Sequence, residues 1–285
     1  MQSGVGKGHI QHTGIGVAAD MAAQTAQQQH RLNPARSFER ARVNGITGMT
    51  SGFEENTYRI LVLDDNYSMQ RLVSVALQKS GFQVSTVSSA EEGLENIRRF
   101  GLPHLALVDI HMPYGMNGLE FCEAILSYSD LPIIMLTAID EDDTIIQSID
   151  QFAEDYITKP FNPGEMVARV RRVLRRMGDF AYTLSTDTVI DEHLTISFPF
   201  QRAYVNGGEV TLTPTETKLL YILLRHAGQI VTTDFILRRL WPMETAYEDR
   251  LRVYVHRLRR KIEQRPDQPR YIISQRGVGY QFTRS

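Results

Sequence analysis

Five polar side chains in the first part of this 285-residue sequence each follow a short apolar run. They are Asp64, Asp65, Asp109, Thr137 and Lys159. If the apolar runs are parallel strands, their carboxyl ends meet at one edge of a sheet and these side chains lie together. Three carboxylates repel one another unless a cation compensates, and their oxygens suit a hard divalent ion such as Mg²⁺. The lysine and the threonine could bind further oxygens of a phosphoryl group, so the pattern predicts phosphoryl transfer to an aspartate.

Each of these residues also has an ordinary structural explanation. An aspartate after a strand commonly caps the next helix, and the Asp64-Asp65 pair taken alone is more often a cap than a ligand. A Lys-Pro pair such as Lys159-Pro160 carries almost no information by itself. Four features follow four of the predicted strands in the expected order, and this combination favours a shared site. They are the Asp64-Asp65 pair, Asp109, Thr137 and Lys159.

The elements that must position these side chains alternate along residues 58–177. Short apolar runs predict strands at 60–63, 105–108 and 133–136, and two mixed segments at 82–87 and 155–158 are predicted to be strands as well. Stretches with helical periodicity predict helices at 69–77, 90–100, 119–126, 144–152 and 163–176. Five strand–helix units predict an α/β fold with a doubly wound, five-stranded parallel sheet.

Residues 58–177 resemble the receiver domains of response regulators, which have a flavodoxin-like fold. The motifs that carry the resemblance are Leu63-Asp64-Asp65, Val108-Asp109 with His111-Met112-Pro113, Leu136-Thr137-Ala138, and Asp155-Tyr156 with Thr158-Lys159-Pro160-Phe161.

The resemblance implies a role for each motif residue. Asp109 is the expected phosphoacceptor, and Mg²⁺ is the expected cofactor. Its expected ligands are the side chains of Asp64, Asp65 and Asp109 and the backbone carbonyl of His111. Thr137 is the expected switch hydroxyl, Tyr156 is the aromatic residue that swings inward in response, and Lys159 pairs with the phosphoryl group.

Two departures from the receiver pattern lie near the parts that would transmit a signal. Four residues separate Pro113 from Gly118, where the family usually has three. Phe152 stands where the family often has a glycine. These departures motivate an alternative function, in which the receiver is a phosphorylation-independent docking module and DNA binding is constitutive. A further alternative is a phosphatase, but such enzymes usually have a second acid two residues after the nucleophile, where this chain has His111. The chain is therefore predicted to catalyse only its own phosphorylation and dephosphorylation.

The sequence after the predicted linker at 178–190 changes to short strands, three helices and a terminal hairpin. Thr213-Pro214-Thr215-Glu216 is a capping box with proline at the first helical position, and Asn206-Gly207 is a strong hairpin signal. Helices are predicted at 215–226, 233–241 and 248–264, and the hairpin at 271–283. The pattern predicts an α+β winged helix-turn-helix domain over residues 191–285.

The last predicted helix combines one apolar stripe with a dense basic surface. Five Arg, one Lys and one His fall within residues 250–261. A solvated charged face is the usual explanation of one basic helix, but charge at this density repels itself unless a polyanion neutralises it. The predicted base-facing residues in a major groove are Val253, His256, Arg257 and Arg260. Those predicted to contact phosphates are Arg252, Arg259 and Lys261, while Arg276 at the hairpin tip could enter a minor groove.

The C-terminal part resembles the effector domains of the OmpR/PhoB family. The matching motifs are Leu212-Thr213-Pro214, Leu237-Arg238-Arg239-Leu240-Trp241, Val255-His256-Arg257-Leu258-Arg259, and Arg276-Gly277-Val278-Gly279-Tyr280. The resemblance implies a sensor histidine kinase, double-stranded DNA and RNA polymerase as partners, the last contacting residues 242–249. It also implies homodimerisation on phosphorylation, with Glu165 and Arg169 at positions that form intersubunit salt bridges in relatives. An ordinary intrahelical bridge explains that pair equally well.

Composition and charge agree with this division of the chain. Hydrophobic residues make up 42% and charged residues 22%, as in ordinary globular proteins. Residues 58–177 contain 11 Lys and Arg against 17 Asp and Glu, whereas residues 182–285 contain 15 against 11, so only the C-terminal part favours an anionic partner. Residues 1–57 have too few large apolar residues for a core and are predicted to be a disordered extension. The single cysteine and the lack of an apolar leader or membrane span predict a cytoplasmic location.

Overall fold

Short apolar runs form the three central strands of a parallel sheet in the first half of the protein. The computed structural model describes residues 58–113, 115–138, 152–176 and 185–283. The predicted N-terminal extension lies outside these residues, as does the predicted helix at 144–152 except for Phe152. The strands are β1 (Arg59–Leu63), β2 (Gln83–Val87), β3 (Leu105–Asp109), β4 (Ile133–Thr137) and β5 (Asp155–Thr158).

The sheet has the strand order β2-β1-β3-β4-β5, and every pair is parallel. The three central strands are buried almost throughout, which explains their continuous apolar sequences. Leu63 pairs with Val108, and Asp109 pairs with Leu136, so the strand ends lie at one edge of the sheet. This register confirms the predicted five-stranded fold and brings the predicted polar residues together.

Amphipathic helices pack on the sheet, and side-chain caps define where several of them begin. They are α1 (Tyr67–Lys79), α2 (Ala90–Phe100), α3 (Gly118–Leu126) and α4 (Pro163–Arg176). Asn66, Ser89 and Asn117 accept backbone N–H groups at the starts of the first three. Among the described residues, none of the helices has the length and apolar character needed to cross a membrane.

The second half of the protein begins with an antiparallel sheet of four strands. These are β6 (Thr188–Val189), β7 (Leu194–Ser197), β8 (Arg202–Val205) and β9 (Gly208–Thr211). Asn206 and Gly207 join β8 to β9 with φ values of 49° and 78°, as the predicted tight hairpin requires. The segment predicted as a linker, 178–190, ends in β6, because Thr188 and Val189 pair with Ile196 and Thr195.

Three helices and a second antiparallel sheet complete the winged helix-turn-helix fold. The helices are α5 (Pro214–Arg225), α6 (Thr233–Leu240) and α7 (Glu248–Ile262), each within two residues of its predicted ends. The sheet has the order β10-β12-β11 and consists of Ile230–Thr232, Gly279–Phe282 and Ile272–Gln275. The terminal hairpin was predicted, whereas the three-residue strand β10 was not.

The two halves contact each other at the amino-terminal edge of the parallel sheet. Asp130 precedes β4, and its carbonyl oxygen accepts a hydrogen bond from Arg225 at 3.1 Å. The Arg239 guanidinium lies 2.6 Å from a carboxylate oxygen of Glu154, which precedes β5, and 3.6 Å from that of Asp130. The Thr186 hydroxyl also donates to the Arg99 carbonyl at 3.1 Å. This contact is therefore at the edge opposite Asp109.

We expect replacement of Arg239 by alanine to destabilise the protein by about 1–2 kcal/mol, between the values of exposed and buried ion pairs. The variant leaves two largely buried carboxylates, Asp130 and Glu154, without this cation. Arg238→Ala is the matched control, because Arg238 is exposed and pairs with Asp234 in its own helix. Thermal unfolding of both variants measures the effect. Equal unfolding midpoints would contradict a stabilising contact between the halves.

Candidate metal centre and nucleic-acid interface

The described part of the chain contains one group of side chains suited to hold a metal ion, at the carboxyl edge of the parallel sheet. One carboxylate oxygen from each of Asp64, Asp65 and Asp109 lies within 4.8 Å of the others. Asp64 and Asp109 are buried, with 0% and 6% of their surface exposed, whereas Asp65 is exposed. The structure thus brings together the three acids that the sequence predicted as ligands.

The Lys159 ammonium lies between the two buried acids. Its Nζ donates to Asp109 Oδ2 at 2.7 Å and to Asp64 Oδ2 at 2.9 Å. The backbone directs Lys159 to this edge, because its N–H donates to the Thr137 carbonyl at 2.7 Å and continues the pairing of β5 with β4. One cation therefore compensates part of the repulsion between the carboxylates.

Burial and charge both change proton affinities in this site. Burial raises the pKa of Asp109 above its usual value of 3.8, with a contribution from Asp64, and the Lys159 ammonium opposes the shift. Burial by itself would lower the pKa of Lys159, but its hydrogen bonds to Asp109 and Asp64 raise it instead. The site therefore favours a bound cation near Asp109, and Lys159 stays protonated.

The residues after β1 show why the aspartates remain available as ligands. Asn66 caps α1, since its side chain accepts from Ser68 and Met69. Asp64 Oδ1 accepts the Asn66 N–H at 2.9 Å, which leaves Oδ2 directed at Lys159. The alternative that these aspartates serve as the helix cap is therefore wrong.

A buried glutamine that sequence reasoning missed holds the backbone of this site. Gln70 Nε2 donates to the Asp64 carbonyl at 2.6 Å and to the Val87 carbonyl at 3.0 Å. The bonds tie the end of β1 to the end of β2. The sequence did contain a signal for this role, because Gln70 is a polar residue at the helical spacing of the buried residues Val73 and Leu77 on one face of α1.

The predicted switch residues are present at the same edge. The Thr137 side chain is buried, and its hydroxyl donates to the Ala138 carbonyl at 3.1 Å. Tyr156 is 52% exposed, so its ring lies outward. The His111 N–H donates to Asp109 Oδ1 at 3.3 Å, which places the residue beside the acid whose metal it is predicted to share.

The donors of this site fit Mg²⁺. Three carboxylates and one lysine leave an excess of negative charge, and a small divalent cation prefers oxygen ligands with some positions left for water. The exposure of Asp65 provides solvent access on one side. No thiolate or imidazole ligand is part of the group.

Helix α7 presents most of the predicted DNA-contacting residues to solvent. Leu251, Val255, Leu258 and Ile262 form its buried stripe. The predicted base-facing residues are all exposed on the other side of the helix: Val253, His256, Arg257 and Arg260. Arg276 is exposed in the turn between β11 and β12, as predicted for a hairpin tip. The helix thus has the surface that a major groove accepts.

Two of the predicted phosphate-contacting residues have partners within the protein. Arg259 donates to the Ile272 carbonyl at 2.6 Å and to the Ser274 hydroxyl at 2.9 Å. It thus joins the helix to the wing, which is the hairpin of β11 and β12. Lys261 lies 2.7 Å from Glu216 Oε2 and donates to the Thr211 carbonyl at 2.9 Å. These contacts were not predicted, because their partners lie 13 to 50 residues away in the sequence.

Arg252, the third residue predicted to contact phosphate, and the predicted dimer residues Glu165 and Arg169 also lie in ion pairs. Arg252 contacts Glu248 at 2.9 Å and Asp249 at 3.3 Å in the first turn of α7, but remains exposed. Glu165 and Arg169 form the intrahelical bridge at 2.8 Å, and Arg169 also contacts Asp155 at 3.1 Å. The proposed intersubunit role of that pair stays a prediction.

Comparisons with known families match both halves of the chain. Residues 60–171 match the model described as response regulator receiver domain. Residues 207–282 match the model described as transcriptional regulatory protein, C terminal. The first range contains the five residues of the acidic pocket, which are Asp64, Asp65, Asp109, Thr137 and Lys159. The second range contains the whole of α7 and the hairpin of β11 and β12.

Curated relatives are similar over most of their own length. The DNA-binding response regulator MtrA of Mycobacterium leprae is 36% identical over 223 residues, which are 78% of this chain and 96% of the relative. A probable transcriptional regulator, ycf27, of Cyanophora paradoxa is 35% identical, with 80% and 98% covered. The KDP operon transcriptional regulatory protein KdpE of Escherichia coli is 34% identical, with 78% and 98% covered.

We expect Asp109→Asn to raise the thermal unfolding midpoint at pH 7 in the presence of EDTA. A carboxyl whose pKa is raised on folding binds its proton more tightly in the folded state. Its contribution to stability is therefore greatest below the unfolded pKa and is lost as the pH rises through the folded pKa. The difference between variant and wild type should shrink as the pH falls to about 4.

Asp267→Asn, an exposed change in the second half, serves as the control for a general charge effect. A lower midpoint for Asp109→Asn than for wild type at pH 7 would mean that the ion pair with Lys159 outweighs the burial of the carboxylate.

Proposed function

Because the chain belongs to the response regulator family, with a receiver domain followed by a DNA-binding transcriptional regulatory domain, we propose that phosphorylation of Asp109 controls its binding to DNA. The observation that carries the proposal is the pocket in which Asp64, Asp65 and Lys159 surround a buried Asp109. A sensor histidine kinase is the proposed phosphoryl donor, and the exposed face of α7 is the proposed DNA-binding surface.

The residues of the pocket have complementary roles in the proposed transfer. An Asp109 carboxylate oxygen attacks the phosphorus of the donor phosphohistidine, the phosphorus–nitrogen bond breaks, and the imidazole leaves. Mg²⁺, held by Asp64, Asp65 and Asp109 with the His111 carbonyl, would neutralise the negative charge on the phosphoryl oxygens. Lys159 already lies 2.7 Å from Asp109, so a small movement brings its ammonium to a phosphoryl oxygen.

The switch residues have the arrangement expected before phosphorylation. The Thr137 hydroxyl bonds to the Ala138 carbonyl, and the Tyr156 ring is exposed. A phosphoryl group on Asp109 offers a charged acceptor, and charge-assisted hydrogen bonds are stronger than neutral ones. We propose that Thr137 turns toward this acceptor and that Tyr156 moves inward into the space it leaves.

Dimerisation and contact with RNA polymerase are the proposed outputs. Glu165 and Arg169 bridge within α4, and on dimerisation they would exchange these partners for those of a second copy. The segment 242–249, which comprises the loop before α7 and the first two residues of that helix, exposes Met243 and Tyr247 by 71% and 73%, which suits contact with a protein. We further propose that the chain has no catalytic activity beyond its own phosphorylation and dephosphorylation.

We expect an activated wild type to dimerise and to bind its DNA site more tightly than Asp109→Ala does. The wild type is incubated with acetyl phosphate and Mg²⁺, and its mass in solution and its affinity for duplexes selected from a random library are measured. Asp109→Ala should stay monomeric and bind weakly under the same conditions, because it lacks the acceptor carboxylate. Equal affinity of the two proteins, with or without the donor, would favour the phosphorylation-independent docking module instead.

Loss of one exposed arginine of α7 should weaken sequence-specific binding without affecting the fold. Arg257→Ala is expected to lower affinity for the selected duplex by about 10- to 100-fold, the value of a base contact. Arg259→Ala is the matched comparison: because Arg259 binds the Ile272 carbonyl of the wing, it should lower the unfolding midpoint as well. Unchanged affinity of Arg257→Ala in fluorescence anisotropy titrations would remove this residue from the DNA interface.

A further inference from the structure

The loop between β3 and α3 begins and ends against the predicted phosphoacceptor. At its start, the His111 N–H donates to Asp109 Oδ1 at 3.3 Å. At its end, the Gly118 N–H donates to the Ile110 carbonyl, and a Cβ on Gly118 would lie 2.0 Å from the Asp109 carbonyl oxygen. The absence of a side chain at Gly118 therefore permits this contact. Residues at both ends of the loop are therefore in close contact with Asp109.

A carboxylate from a neighbouring helix binds the middle of this loop. Glu91 lies in the first turn of α2, and its Oε1 accepts the Met116 N–H at 2.9 Å. The preceding residue, Gly115, has a φ of 74°, and an added Cβ there would lie 2.6 Å from the same oxygen. Glycine thus supplies both the backbone conformation and the space for the carboxylate. The bond spans 25 residues and falls in the loop that is one residue longer than usual in the family.

The ionised form of Glu91 is the one that binds the loop. The hydrogen bond from the Met116 backbone N–H lowers the pKa of its carboxyl below the usual value, with smaller contributions from the Glu91 backbone N–H and the Ser89 hydroxyl. Its place in the first turn of a helix favours negative charge as well. The contact is therefore charge-assisted at neutral pH.

We infer that Glu91 is a positioning residue for phosphoryl transfer at Asp109. By binding Met116 it holds the loop at 115–118, and through the loop it holds the Asp109 backbone and the His111 N–H beside the acceptor carboxylate. The inference rests on the proposed function, because it names a residue that acts on the same site. Fixed geometry matters there, because a displacement of about 1 Å can lower a rate roughly 100-fold.

The neighbouring glutamate provides a matched control. Glu92 lies in the same helical turn, is also exposed, and also accepts a backbone N–H, from Ser88 at 2.8 Å. Its removal takes the same charge from the start of α2 and weakens the helix cap, but the bond to Met116 is left intact. A comparison of the two variants separates loop positioning from helix stability.

Amide hydrogen exchange of the metal-free, full-length chain tests the contact itself. In Glu91→Ala, the backbone amides at 115–118 should exchange roughly tenfold faster than in wild type, because the Met116 N–H loses its acceptor. Glu91→Gln retains an uncharged acceptor and should give an intermediate rate. Glu92→Ala should exchange at the wild-type rate in this loop. Equal exchange in Glu91→Ala and wild type would overturn the inference.

Phosphorylation by acetyl phosphate at saturating Mg²⁺ tests the consequence. We expect the rate constant for labelling Asp109 to fall roughly tenfold in Glu91→Ala, to recover in part in Glu91→Gln, and to change less than twofold in Glu92→Ala. Equal losses in Glu91→Ala and Glu92→Ala would assign the effect to the helix and overturn the inference. Failure of the proposed function is a different result, since the wild type itself would then not be labelled at Asp109.

Discussion

The ion pairs of Lys159 with Asp64 and Asp109 are the interaction on which the site depends. They join the ends of strands β1, β3 and β5, which are separated by 50 and 95 residues of sequence. Without a cation between them, the two buried carboxylates would repel each other. The parallel register of the sheet makes the arrangement possible, because it brings the carboxyl ends of all three strands to one edge. The surplus of negative charge that remains is what makes this edge suited to a divalent cation.

Strands β4 and β5 connect this edge to the contact with the second half. Thr137 and Lys159 lie at their carboxyl ends, whereas Asp130 and Glu154 precede their amino ends and meet Arg225 and Arg239. Each strand has only four or five residues, so the two sites lie at opposite ends of the same short elements, of which β4 is buried throughout. The sheet is thus a physical connection between the pocket and the DNA-binding half.

The basic residues of α7 serve two different purposes. Arg259 and Lys261 are bonded to the wing and to the start of α5, and these contacts hold the helix in the domain. His256, Arg257 and Arg260 remain exposed on one side of the helix. The density of positive charge in the sequence therefore overstates the number of side chains available to a polyanion. Those that remain exposed are presented by a helix whose position the others hold.

The sequence by itself determined the order of most of the elements, the five residues of the pocket and the exposed face of α7. Apolar runs and helical periodicity are local patterns, and parallel strands place their following residues at one edge without further information. The tertiary structure alone decided that Asn66 caps α1, that Gln70 and Glu91 support the pocket, and that Arg259, Lys261 and Arg239 have partners elsewhere in the chain. Most of these contacts join residues far apart in sequence, and a polar side chain gives no periodic signal of a distant partner. Only the folded chain brings such partners within hydrogen-bonding distance.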